Sequence, residues 1–295
     1  MQPRKAENLE KGSKTLWANI GAQQFHLPEG KPDAQVLDGE IHLCYNPRDY
    51  QTLLESGKNM QEHKLLKGTH FKVVRYDDKE MHVTDPWGTT FRIFASNKAK
   101  DSRGVQNNID NAESLGNCMD NLTIYTPPES NIAGIARFYE KVFITPILDL
   151  KEHHCVVSMG PRQSLTFQRT KNLDKDINMH VDLRDEPEQN PEGQQHYPSN
   201  YGPHISIYIR DIRSTYERAK ELGVTYVNPR FKRRAYCEQE VIKDCMFRCL
   251  DIVDPDNVDG GVILRLEHEV RSVLKEDGSL YQSCPFLVAP DGCVI

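Results

Sequence analysis

What most constrains the fold of this 295-residue chain is repetition. One order of elements recurs along it: an alternating strand, a short amphipathic helix, then further strands. The best-marked copy opens after Gly202 and Pro203, where Ile205, Ile207 and Ile209 share one face of a strand and His204, Ser206 and Tyr208 the other. Asp211 is placed to cap a helix carrying Ile212, Tyr216, Ala219 and Leu222, and Gly223 suits its left-handed end. Strand-forming Val224 to Val227 follows. The unit closes on Cys249 to Val253, the turn Asp254-Pro255-Asp256, and the strand Val262 to Glu267.

Two earlier copies keep the order. One starts near Asp120, with the strand Asn121 to Tyr125, a helix stripe of Ile132, Ile135, Phe138, Tyr139 and Val142, and the strands Cys155 to Ser158 and Ser164 to Gln168. The other runs from Gly39 to Phe94, with the strand Glu40 to Tyr45, a weaker helix around Tyr50, Leu53 and Leu54, and the turn Asp85-Pro86-Trp87-Gly88 before its last strand. Upstream only the tail of a unit is legible, ending in Gln23 to Pro28. Asn97 to Asn117 is polar and aperiodic, a linker pattern. Lys171 to Ser199 is an acidic insertion rich in Pro, Gln and Glu, for which disorder is expected.

Composition narrows the class of partner. Hydrophobic residues are 38% and charged residues 27%, an ordinary globular profile, and the net charge of -6 gives no pull toward nucleic acid or anionic membrane. No apolar run is long enough to cross a bilayer. The first residues hold no secretory core, so a cytoplasmic location is the default expectation. Eight scattered cysteines without a Cys-x-x-Cys pair read as free thiols in a reducing compartment.

The βαβββ order, with a helix reading Ala136 to Phe143 and turns such as Asp85 to Gly88, resembles the module of the vicinal oxygen chelate superfamily. These are the glyoxalase, bleomycin-resistance and extradiol dioxygenase relatives. The resemblance implies an α+β fold in which modules pair into curved-sheet cups, here as two tandem domains with the first incomplete at its N-terminus. The expected boundaries are 13–96 for the first domain, 97–117 for the linker, 118–270 for the second domain with its insertion at 171–199, and 271–295 for a tail. The incomplete first cup would leave a sheet edge open to pairing, so self-association into a homo-oligomer is expected.

In that family, metal ligands sit on the cup face of the first and last strands of each module. At those positions the resemblance points to His204 and Glu267, with Gln168 as a neutral third ligand, for a divalent metal such as Zn, Fe, Mn or Ni. Glu267 would ligate it or move a proton. In the first cup it offers His26, Glu40 and His42, but Arg92 stands where a carboxylate belongs. Arg92 and Arg265 would then serve as fixed cations for an anionic substrate. Two classes of function follow: a metal-dependent lyase, isomerase or dioxygenase acting on a small oxygen-rich molecule, or a metal-independent protein of the same fold that binds an anionic small molecule.

Overall fold

The computed structural model describes residues 2–4, 15–21, 23–28, 34–97, 116–160, 163–172, 177, 180–184, 203–229, 231, 233–279 and 281. All three copies of the repeat fold, and they fold alike. The first contains β4 (Gly39–Tyr45), α1 (Pro47–Gln61), β5 (Lys72–Arg75), β6 (Glu80–Thr84) and β7 (Thr90–Ala95). The second contains β8 (Gly116–Thr126), α2 (Ile132–Phe143), β9 (Ile147–Lys151), β10 (His154–Ser158) and β11 (Ser164–Arg169). The third contains β12 (His204–Ile209), α3 (Ile212–Glu221), β13 (Thr225–Tyr226), β14 (Met246–Val253) and β15 (Val262–Ser272), with a short α4 (Glu238–Asp244) before β14. Upstream, β1 (Gln2–Arg4), β2 (Thr15–Ile20) and β3 (Gln23–Pro28) make a separate three-stranded sheet.

In each module the first and last strands run parallel and adjacent, with the helix crossing between the ends of the sheet. The pairing of modules differs from the expected division. β4 and β8 lie antiparallel edge to edge, joining the first two modules into one eight-stranded sheet in the order β5-β6-β7-β4-β8-β11-β10-β9. That sheet spans the boundary expected at 97–117, most of which lies outside the described residues, as does most of the insertion at 171–199. The open edge expected on the first cup is therefore filled by β8. Gly39 permits the approach: a Cβ there would sit 2.0 Å from the Thr123 carbonyl oxygen.

The third module keeps its own four-stranded sheet, β12-β15-β14-β13. It joins the second through helices rather than strands. Ile135, Phe138, Tyr139 and Val142 of α2 share one buried core with Ile212, Tyr216 and Ala219 of α3 and with Leu264, Leu266 and Val270 of β15. The caps form as the sequence suggests. The Asp211 side chain accepts from the Ser214 amide at 3.0 Å, and Gly223 takes a φ of 70°. Asn131 caps α2 and also reaches Asp254 at 2.9 Å, and Arg137 bonds the same carboxylate, so the helix of one module is tied to a turn of the next.

Candidate functional site

Strand alternation decides which side chains face the cup of the eight-stranded sheet. On β4, Ile41, Leu43 and Tyr45 are buried in a core with Tyr50 and Leu54 of α1, which leaves Glu40, His42 and Cys44 on the opposite face. Register then lines up their neighbours: His42 lies between Arg92 of β7 and Asn121 of β8, and Asn121 lies beside Ser164 of β11. This face borders a cavity of about 750 Å³ that spans both modules. Its wall includes His42, Lys79, Asp120, Asn121, Ser158, Gln163 and Ser164, with Phe94 and Leu148 as apolar surface.

Two polar networks meet there. Around Asn121, the amide oxygen accepts from Ser164 at 2.9 Å and Thr166 at 2.8 Å, while the amide nitrogen donates to Thr123 at 2.9 Å. His42 Nδ1 lies 3.5 Å from that nitrogen. The second network surrounds Arg92, which donates to Glu80 at 2.6 and 2.9 Å and lies 3.6 Å from Glu40. His82 also reaches Glu80, at 2.8 Å. Burial raises the Glu80 pKa, but the bonds from Arg92 and His82 outweigh it and hold the carboxyl below its ordinary value. His42, Tyr125 and Arg92 do the same for Glu40, against burial. The Tyr125 hydroxyl is pushed up to about 12 by burial and by the neighbouring Glu40 charge.

The expected C-terminal metal set is not assembled. His204 and Glu267 are register partners on β12 and β15, but Gln168 stands on β11 of the other sheet. Phe167 and Leu266 both point into the core shared by the two modules, so alternation turns Gln168 and Glu267 to opposite outer faces. Glu267, only 1% exposed, is engaged by Arg248 and by Asn228 at 2.7 Å, with His180 at 3.4 Å. Arg248 also bonds Glu269 and stacks on the Phe231 ring at 3.8 Å, and His204 lies 3.9 Å from Glu269. Arg265 is paired not with Glu267 but with Asp251, at 3.1 Å.

A divalent metal of the kind the resemblance implies fits neither place. In the eight-stranded cup a guanidinium occupies one of the positions a ligand carboxylate would need, and it already engages the carboxylates beside it. In the third module Glu267 is committed to a buried arginine. Among the described residues no three His, Cys, Asp or Glu side chains form a metal-holding group. His26, a third candidate, is exposed on β3 and bonded to Gln24 at 2.9 Å.

Glu80, Asn121 and Arg248 carry these networks and were not singled out by sequence reasoning as functional. Asn121 stood at a first-strand position and was legible there. Glu80 and Arg248 became visible only through register, from strands two and one places away from the strand of interest. His180 comes from the insertion, where no periodicity announces it.

The fold is one of paired βαβββ modules. No family model matches the chain, and no curated protein does. Similar solved structures include a glyoxalase I mutant from Zea mays, 12% identical, covering 92% of this chain and 83% of that one at a TM-score of 0.47. A second glyoxalase I mutant from the same plant is 13% identical, with coverages of 92% and 82% and a TM-score of 0.48. A putative dioxygenase from Bacillus subtilis is 12% identical, with coverages of 88% and 73% and a TM-score of 0.44. The resemblance rests on the module order and strand pairing of this chain itself. No helix among the described residues is long and apolar enough to cross a membrane.

Proposed function

We propose that this chain is a metal-independent binding protein of the glyoxalase/dioxygenase superfamily, holding a small oxygen-rich molecule in the cup of its eight-stranded sheet. The observation that carries this reading is Arg92. It lies at the position where the resemblance places a carboxylate, held by Glu80 and Glu40, beside a cavity of about 750 Å³ whose wall combines apolar surface with neutral polar groups and the charged Lys79 and Asp120. A volume of that order suits a compact ligand. Asn121, Ser158, Gln163 and Ser164 provide hydrogen-bonding groups, while Phe94 and Leu148 give it an apolar wall. An anionic ligand would have to compete with carboxylates for Arg92, as it would for Arg265, so neutral hydrogen bonds contribute most of the recognition.

The test uses the full chain purified without added metal. Elemental analysis is expected to find Zn, Fe, Mn and Ni well below one per chain, and EDTA is expected to leave the melting temperature unchanged. A panel of small polyols and hydroxy acids is then screened for a raised melting temperature. The Ser158→Phe variant, which puts a ring into the cavity and removes one of its hydroxyls, is expected to reduce that rise. Stoichiometric metal that EDTA removes, with a fall in melting temperature, would overturn the proposal in favour of the metalloenzyme reading.

A further inference from the structure

Cys44 and Cys118 face each other across the seam between β4 and β8. They are direct register partners in that antiparallel pair. Partners of this kind project on the same face, with Cβ atoms about 4.5–5.5 Å apart, and a disulfide needs Cα atoms about 4.4–6.8 Å apart. The ladder shifts register between His42 and Leu43 and again between Cys44 and Tyr45, so the pair sits between two irregularities. Such irregularities add local twist and give the backbone freedom to adjust. Among the described residues no other ladder sets cysteine opposite cysteine: Cys155 faces Phe167 and Leu150, and Cys249 faces His268 and Thr225.

We propose that Cys44 and Cys118 are a redox modification site, a dithiol that a low-molecular-weight disulfide converts into a cross-strand disulfide joining the first two modules. Both side chains are buried, but Cys44 borders the cup cavity, which gives a small reagent its route. The Cys44 sulfur attacks the reagent, breaking its S–S bond, forming a mixed disulfide and releasing one thiol. The Cys118 sulfur then attacks Cys44 and expels the second thiol. The reagent is reduced, the two cysteines are oxidised, and their protons leave on the two released thiols.

The environment of Cys44 sets the pace. Its thiol contacts Cys118 and donates to Asp120 at 3.2 Å. The bond to Cys118, burial and the Asp120 charge all push the thiol up, so thiolate is scarce and exchange is slow. Oxidation would remove the donor that Cys44 offers Asp120 and so alter the cup wall. Among the described residues no other thiol has a cysteine partner along a ladder, which makes the modification selective there.

The test equilibrates the full native chain in hydroxyethyl disulfide and mercaptoethanol at several ratios, then alkylates free thiols in denaturant and maps peptides by mass. The oxidised arm is expected to yield one linked peptide pair joining Cys44 to Cys118, two hydrogen masses lighter than the separate peptides and lost on reduction. The melting temperature should rise with it, since the link constrains the unfolded chain. Cys44→Ser and Cys118→Ser should each remove the linked species. Full alkylation of both cysteines at the most oxidising ratio, a mixed disulfide that never resolves, or a link from Cys44 to another cysteine would overturn the proposal. The unsubstituted chain decides it, whether or not the serine variants fold.

Discussion

Glu267 illustrates how a single residue can keep its place and lose its expected role. Its position on the last strand of a module and its outward parity were legible from the alternation of Leu264 and Leu266 with Arg265 and Glu267. Its partner was not. Arg248 arrives from β14, is 5% exposed, and bonds both Glu267 and Glu269. Burial raises the Glu269 pKa, yet Arg248, Arg271 and His204 hold the carboxyl below its usual range. Arg248→Met removes a buried cation from two buried carboxylates and is expected to cost about 3–5 kcal/mol. Urea unfolding would read this as a lowered midpoint with an unchanged slope. Adding Glu267→Gln should recover part of the loss, because one buried charge is then removed with its partner. Equal stability of Arg248→Met and the parent would mean the network is not formed.

At the scale of elements, helices were the most legible part. The stripe Ile132, Ile135, Phe138, Tyr139 and Val142 is buried along α2, and Ile212 and Tyr216 along α3, because a periodicity of 3.6 gives one face to the core. β9 and α4 escaped notice, since five and seven residues are too few for a period to stand out. The end of α2 carries a strain that sequence alone does not reveal. Ile144 is the left-handed cap, at φ 54° and ψ 39°, with its side chain largely exposed. A β-branched residue there costs about 1–2 kcal/mol relative to glycine, partly offset by the greater freedom of glycine in the unfolded chain. Ile144→Gly is expected to raise stability by about 0.5–1 kcal/mol, seen as a higher melting temperature. A drop would show that the apolar contact of Ile144 outweighs the backbone strain.

At the scale of the whole molecule, the first two modules are joined by the β4–β8 pair and the second and third by a shared core, inside which a polar pair sits. The Tyr139 hydroxyl of α2 lies 2.6 Å from His268 Nε2 of β15, among Phe138 and Phe143. Burial lowers the His268 pKa from 6.5 to about 4. Between those values the unfolded chain takes up a proton that the folded chain refuses. Stability is thus fully present above the unfolded pKa and is lost as pH falls toward the folded one. From near pH 7 to near pH 5 the loss is about 2 kcal/mol. His268→Asn should flatten that slope whatever it does to stability at neutral pH, and chemical unfolding at the two pH values would show it. An unchanged slope would assign the pH dependence elsewhere.

The sequence by itself determined the modules. Strand alternation, helix stripes and caps are local patterns, and their threefold recurrence fixed the α+β class and the βαβββ order. Alternation along each strand also fixed which side chains share a face, and the resemblance then implied that Glu40, His42 and Arg92 face a cup. Only the tertiary structure decided which modules share a cup. Every first strand has an edge able to pair, and nothing local says whose edge it meets; Gly39 lets β8 come close enough to take the edge of β4. That choice sends the second module's helix, rather than its sheet edge, to the third module. It separates Gln168 from His204 and Glu267, and it sets Cys44 opposite Cys118. Contacts between strands distant in sequence depend on register, and register is settled by the packing of whole faces rather than by any one residue.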